Sequence, residues 1–449
     1  MEYDLLVIGG GINGCAIARE AAVNGLSVLL VEKDDLASHT SSASTKLIHG
    51  GLRYLETYEF KLVHEALYER ERLIRAAPHL IQPMAFVLPH DNAVRPWWMV
   101  RAGLYVYDLL GGRSSLPRSR GLRKTDTLYR APLRGGNKGF VYSDAWVDDA
   151  RLTLSKAIDA AQMGAHIATR TALVSAQRTP KGWQATLSDG RSEKARAVVN
   201  AAGPWVPQVA QRIDAKPGLG LRLVKGSHVV VDRLYAGDHA YILQQPDRRI
   251  VFAVPWLDRY TALGTTDVAV ETPEQAVVDD NEINYLIAAS NRAFLPQIAR
   301  NDIHHAWSVV RALVDDGADS ASEVTRDYSL IVDDDGPPLL TVYGGKITTA
   351  RALGEDAMRQ LGKVLGRATP SNTANRLLPG GDVDTFERFL DIVHTRYPFL
   401  DAVRAERMAR AYGTQLFKML DGVSDAAGMG ADLGAGLTEI EVSWMRDHE

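Results

Sequence analysis

Residues 45–56 read T-K-L-I-H-G-G-L-R-Y-L-E. Here His49, Arg53 and Tyr54 stand around a Gly50–Gly51 pair. An imidazole can accept a proton near neutrality. A guanidinium presents a planar fork that suits phosphate oxygens. Paired glycines let the backbone approach a ligand closely. Leu47, Ile48, Leu52 and Leu55 read as packing that holds the polar residues in place. The same residue types recur later in the chain. His228 follows Lys225–Gly226 at a strand start, Arg311 sits in S-V-V-R-A-L (308–313), and Lys346 sits in G-G-K-I-T-T (344–349). Taken singly, each arginine also reads as a surface ion pair and each histidine as a satisfied structural residue.

A second pattern is more specific. Gly9, Gly11 and Gly14 form G-x-G-x-x-G. Before them Y-D-L-L-V-I (3–8) reads as a buried parallel strand. After them Cys15–Asn24 is helical, Gly25 ends the helix, and S-V-L-L-V (27–31) is a second strand closed by Glu32. This context predicts a bound dinucleotide. Gly9 permits the tight turn, Gly11 lets backbone meet a pyrophosphate, and Gly14 lets helix and strand pack closely. Glu32 is placed to accept from ribose hydroxyls. The polar segment 33–46 reads either as a path along an extended cofactor or as a surface loop. A-V-V-N-A-A-G (197–203) reads as a strand entering a small-residue turn, which either approaches the nucleotide or is an ordinary strand exit.

These residues need a scaffold. A chain of 449 residues predicts two or three domains. With 46% hydrophobic and 24% charged residues and net charge −4, it is a folded protein without the basic excess of a nucleic-acid binder. The single cysteine, Cys15, excludes an intramolecular disulfide and a cysteine-rich metal site, and suggests a reducing compartment. It reads as structural, and no metal site is expected. The N-terminus lacks a basic region and a cleavage site, so no signal peptide is expected. No apolar run reaches the ~18 residues of a spanning helix. The longest candidate, 97–110, is cut by Arg101 and Asp108. From Arg95 to Arg123, aromatic, aliphatic and basic residues mix. That composition fits either an interfacial membrane anchor or an internal helix followed by a basic loop.

Periodicity predicts helices over 59–77 and 148–163, with an irregular stretch from Met84 to about Tyr142. Short strands follow, with Asp189–Gly190 as a turn. Between 223 and 326 strand-like stretches suggest an antiparallel sheet holding one helix, 274–299. Strand 339–343 then runs into G-G-K-I-T-T-A-R, which opens a helix whose N-terminus suits an anion or cofactor. Residues 375–449 read as mostly helical.

Several segments agree on a family. The fingerprint at 9–14, Glu32–Lys33, S-S-A-S-T-K-L-I-H-G-G-L-R-Y-L-E (41–56), N-A-A-G-P-W (200–205), I-V-F-A-V-P-W (250–256), L-G-T-T-D (263–267) and G-G-K-I-T-T together resemble the FAD-dependent glycerol-3-phosphate dehydrogenases. These are D-amino-acid-oxidase-like flavoproteins, and the resemblance runs along the whole chain. I-H-G-G-L-R-Y-L-E and Y-S-D-A-W-V-D-D-A-R (142–151) are specific to this subgroup.

The resemblance implies an α/β fold. A Rossmann-like FAD-binding domain would be assembled from 1–80, 142–222 and 327–370, an antiparallel-sheet substrate domain from 81–141 and 223–326, and a shortened helical cap from 375–449. It implies oxidation of sn-glycerol 3-phosphate to dihydroxyacetone phosphate, with ubiquinone or menaquinone as acceptor. It also implies a homodimer, peripheral or monotopic on the cytoplasmic face of the inner membrane. A soluble O₂-using glycerol-3-phosphate oxidase and a non-catalytic FAD-binding protein are the competing readings.

Residue by residue, the resemblance implies FAD contacts at Gly9, Gly11, Ile12, Asn13, Gly14, Glu32 and Lys33. Further contacts fall at Ser42, Ser44, Lys46, Leu47 and His49, then at Ala172, Leu173, Ala202, Gly203 and Trp205, and finally at Gly345, Lys346, Ile347 and Thr348. Arg53, Tyr54, Arg311, Arg326 and Lys346 would bind substrate. His49 or His228 would take the hydroxyl proton, and Lys346 would stabilise developing negative charge at the flavin or the substrate oxygen. Val309 and Ala312 stand where the family usually has Gly and Pro, and Ala350 where it usually has Tyr or Phe. The family's C-terminal helical region also usually runs on further.

Overall fold

The computed structural model describes residues 2–91, 95–135, 138–213, 215–216, 218–315, 327–370 and 372–449. Its first sheet grows from the apolar strand Glu2–Ile8, whose Leu5, Leu6 and Val7 are buried. Such a run lies in the middle of a covered parallel sheet. It pairs in parallel with Val28–Val31 on one side (Ile8 opposite Val31) and with Ser192–Asn200 on the other (Ile8 opposite Asn200). His166–Ala168 extends the sheet at one end, and Leu339–Tyr343 and the antiparallel Ser329–Asp333 extend it at the other. Helices Ile12–Val23, Asp149–Gln162 and Ala350–Leu365 share one core with this sheet. Small residues bring them close: a Cβ on Gly354 would stand 2.8 Å from the Ala16 carbonyl oxygen. Cys15 is fully buried between these layers, as a structural residue should be.

The second sheet is longer. Its strands run in the order Val268–Val270, Leu221–Asp232, Tyr260–Gly264, Ile250–Trp256, Ala240–Gln244, Ile81–Pro89, Gly139–Val147, Leu47–Ile48. Ile303–Val314 pairs along Leu221–Asp232. All pairings are antiparallel except that between Ala240–Gln244 and Ile81–Pro89, so the antiparallel expectation is correct apart from this contact. The edge strand Leu47–Ile48 bonds to Ala145 and Trp146, which fixes the start of the H-G-G turn on this sheet.

Two expectations need correction. The stretch 84–142 is not irregular: it contributes to strands Ile81–Pro89 and Gly139–Val147 and contains the helix Trp97–Leu110. The stretch is rich in proline and arginine, which suggested irregularity, yet Phe86 and Val87 lie in a strand paired on both sides. A proline is tolerated where its missing N–H costs no ladder bond. The helix expected over 274–299 is shorter, Asp280–Ala293. Asp279 and Glu282 form a capping box that starts it, and Phe294 leaves it in an extended conformation.

The C-terminal residues form helices Phe386–Arg396, Ala402–Tyr412, Gln415–Met419 and Glu439–His448 around Phe389, Val393, Met408 and Leu416. Among the described residues no helix is long and apolar enough to cross a membrane.

Candidate active site

The two sheets flank a cavity of about 1240 Å³. One end is made of backbone and small residues. A Cβ on Gly9 would stand 2.6 Å from the Ala201 oxygen, and one on Gly14 would stand 1.9 Å from the Gly9 oxygen. The turn therefore tolerates only glycine at both positions. The helix Ile12–Val23 begins with no side-chain cap at Gly11 and no acidic residue in its first turn. Its positive dipole end suits an anion, although the Ile12 N–H donates to Ser41 Oγ at 2.9 Å. Glu32 ends the second strand, lines the cavity, and accepts from the N–H groups of Gly10 (2.7 Å) and Asp34 (2.9 Å). Asn13 donates to the Gly344 carbonyl at 3.1 Å, so the first glycine turn is tied to the G-G-K turn. These residues fit a dinucleotide with a pyrophosphate at the helix start. The cavity exceeds the ~300–1,000 Å³ of ordinary ligand pockets, as an extended ligand requires.

At the other end the chain converges His49, Arg53, Tyr54, His228, Arg311 and Lys346 on the same cavity. His49 follows the edge strand Leu47–Ile48, and Arg53 and Tyr54 lie in a single helical turn, Leu52–Leu55. Gly51 takes φ +76°, and a Cβ there would meet Tyr54 Cε2 at 2.1 Å. The Tyr54 ring lies under Lys346 Nζ at 3.8 Å, a cation–π contact that places the ammonium beside the turn. Arg311 donates to Asp267 Oδ1 at 2.5 Å and to the Thr266 carbonyl at 3.0 Å. The Arg53 guanidinium makes no hydrogen bond or ion pair among the described residues, so its fork is open.

The two candidate bases differ. His228 is fully buried, stacks on Trp307 at 4.8 Å, and shares a 3.0 Å hydrogen bond with Thr45 Oγ1. Burial first, then the charges of Arg311 and Lys46, push its pKa down to about 3. It is neutral at physiological pH and a reluctant proton acceptor. His49 lines the cavity, with its ring 6.3 Å from that of Phe252.

Most expected contacts line the cavity: Gly9, Gly11, Ile12, Asn13, Glu32, Lys33, Ser44, Leu47 and His49, then Ala172, Leu173, Ala202, Gly203, Trp205 and Gly345 to Thr348. Three do not. Gly14 lies behind the turn. Lys46 turns away: its Nζ reaches the buried Asp149 at 2.6 Å and the Ser42 carbonyl at 3.0 Å. Ser42 itself bonds back to the His39 carbonyl at 3.3 Å. The reason is Asp149, which is fully buried and needs donors; it takes them from Lys46 and Ser44. Arg326 lies outside the described residues. Sequence reasoning missed Asp267, Thr45 and Trp307, which hold Arg311 and His228. Asp267 had a signal, since it ends L-G-T-T-D, whereas Trp307 had none.

A glycine-built cradle continuous with a polar, histidine-bearing end is the architecture of a dinucleotide-dependent redox protein. Residues 4–351 match the family described as FAD dependent oxidoreductase. The chain is 50% identical to the glycerol-3-phosphate dehydrogenase of Pseudomonas aeruginosa, over 100% of this chain and 89% of that protein. It is 46% identical to the aerobic glycerol-3-phosphate dehydrogenase of Escherichia coli, over 99% and 91% of the two chains. It is equally 46% identical to the D-erythritol 1-phosphate dehydrogenase of Brucella abortus, over 98% and 90%. Among solved structures, the glycerol-3-phosphate dehydrogenase of Bacillus halodurans complexed with FAD superposes with TM-score 0.77 at 28% identity, covering 99% of this chain and 82% of that one. The chain belongs to the FAD dependent oxidoreductase family. It is an enzyme of that class, and its cofactor is FAD.

Proposed function

We propose that this enzyme oxidises sn-glycerol 3-phosphate to dihydroxyacetone phosphate and passes the electrons to a membrane quinone, ubiquinone or menaquinone. The observation that carries this reading is the convergence of Arg53, Arg311 and Lys346 on one end of the FAD cavity. Such a cluster suits a phosphorylated substrate. The names of relatives at 46–50% identity support it. FAD, when bound, supplies the two-electron acceptor for hydride from C2. Gly9, Gly11, Asn13, Glu32, Ala202, Gly203 and Gly345 to Thr348 would hold it. The residues of this chain do the rest. Arg53 takes the phosphate, and Tyr54 and Arg311 help orient it. His49 accepts the hydroxyl proton, because burial makes the His228 imidazole too weak a base for it. Lys346 supplies positive charge at the reaction end.

A longer phosphorylated polyol is the second reading, favoured by the equal identity to a D-erythritol 1-phosphate dehydrogenase. The quinone reading is supported by Leu55, Met99, Val100 and Gly103, which are among the residues lining the cavity; the last three belong to the helix Trp97–Leu110. That helix exposes Trp98, Tyr105 and Leu109, which suits a membrane surface. With this reading go the three-unit domain division given above, a homodimer, and a position on the cytoplasmic face of the inner membrane. Purified enzyme should reduce a soluble quinone analogue in a glycerol-3-phosphate-dependent way and yield dihydroxyacetone phosphate. Peroxide formation with no quinone reduction would replace quinone by O₂. Faster turnover of erythritol phosphate would replace the substrate.

A further inference from the structure

The H-G-G turn is held by a buried polar chain whose side chains, Tyr107, Asp144 and Arg70, do not line the cavity. The Gly50 N–H donates to Tyr107 Oη at 2.8 Å. Tyr107 Oη lies 2.9 and 2.8 Å from the two oxygens of Asp144, to which it donates. Asp144 also accepts from Arg70 Nη1 at 2.7 Å. Tyr107, Asp144 and Arg70 are all buried, and they come from separate elements: helix Trp97–Leu110, strand Gly139–Val147 and helix Phe60–Ala76. Burial first, then the Asp144 charge, raises the Tyr107 phenol well above its ordinary pKa, so it stays protonated and keeps donating to Asp144. Its lone pairs are what remain for Gly50. The fit is tight: a Cβ on Gly50 would meet Leu67 Cδ2 at 2.6 Å and Tyr107 Oη at 2.7 Å.

We propose that Tyr107 is a positioning residue for the reaction turn, fixing the Gly50 amide and through it His49 and Arg53, with Asp144 and Arg70 orienting its hydroxyl. His49 immediately precedes the pinned amide, and Arg53 lies three residues after it. Without the hydroxyl, the buried Gly50 N–H loses its 2.8 Å acceptor and keeps only the neighbouring Asp144 carboxylate, so the turn shifts to improve that contact. Reaction rates respond steeply to displacements on the scale of 1 Å. The same helix turns Trp98, Tyr105 and Leu109 outward, so Tyr107 also joins that exposed face mechanically to the reaction end.

The catalytic half of this assignment rests on the proposed reaction; the structural half does not. Hydrogen exchange on the FAD-loaded full chain tests the structural half. In the wild type the Gly50 amide should exchange slowly. In Tyr107→Phe the peptides spanning 47–55 should exchange faster, while the helix Trp97–Leu110 and FAD content stay as they were. Fast exchange at Gly50 in the wild type, or unchanged protection in the variant, overturns the proposal. Anaerobic flavin reduction tests the catalytic half. At saturating glycerol 3-phosphate, Tyr107→Phe should slow it about 10- to 100-fold, while dithionite reduces both proteins equally. A loosened turn with a wild-type rate also overturns the assignment. If glycerol 3-phosphate fails to reduce the wild-type flavin, the functional reading falls, and the exchange result still decides whether Tyr107 holds the turn.

Discussion

The two ends of the cavity are built on different principles. The dinucleotide end is a short local device: Gly9 to Gly14, one helix N-terminus and the acid ending the next strand. Its specificity lies in the absence of side chains. The reaction end is assembled from side chains far apart in sequence, with Arg53 and Arg311 arriving from opposite ends of the second sheet. Its specificity lies in what holds each group. The first end should break by adding atoms, and the second by removing them.

The largest effect falls on the first end. Gly14→Ala puts a Cβ within 1.9 Å of the Gly9 oxygen. Overpacking of this kind costs about 1–3 kcal/mol or more, and here it displaces the turn itself. Purified protein should be colourless, with little bound FAD. Wild-type FAD content would erase the contrast between the ends.

Arg53→Ala should show the opposite signature. Its guanidinium holds no described partner, so thermal stability should change by about 0.5 kcal/mol or less and FAD should be retained. On the role proposed for Arg53, loss of its charge contact with the substrate phosphate costs about 2–5 kcal/mol, so kcat/KM should fall on the order of 100-fold or more. A variant that lost FAD together with activity would show that the two ends are not separable.

The two histidines sharpen the same point through pH. The pKa of His228 lies at about 3 in the fold, against 6.5 for an ordinary imidazole. Below about pH 6.5 the unfolded chain takes up a proton that the folded ring refuses. The stability contributed by the neutral ring is therefore present above that pH and lost as pH falls towards 3, at up to about 1.4 kcal/mol per pH unit. His79, also depressed to about 3 by burial, adds to the slope. Denaturant unfolding across this window should flatten in His228→Gln. An unchanged slope would show that His228 titrates normally. The smallest effect on the fold should come from Trp98→Ala, which is exposed. Stability should stay within about 0.5 kcal/mol, while binding to anionic liposomes weakens.

The same contrast explains what could be read from sequence. The first end was legible because its signal is local: three glycines, two strands and Glu32 within 32 residues. The first sheet and its helices followed from buried runs of the Leu5–Ile8 kind. At the second end the residue types were legible, and most of them do line the cavity. Their holders were not. Tyr107 meets Gly50 across 57 positions and Asp267 meets Arg311 across 44, and neither separation leaves a periodic trace. The partner of Lys46 was equally hidden, since Asp149 lies 103 residues away. Residues 84–142 were misread because prolines outweighed the pairing partners that make Ile81–Pro89 a strand.

One measurement bears most directly on the claim that a single cavity holds FAD at one end and a phosphorylated alcohol at the other. Wild type and Arg53→Ala, both FAD-loaded, are mixed anaerobically with glycerol 3-phosphate while the flavin's visible absorbance is followed. Rapid bleaching of the wild type and slow or absent bleaching of the variant is the predicted result. Equal bleaching of both, or none in the wild type, would contradict it.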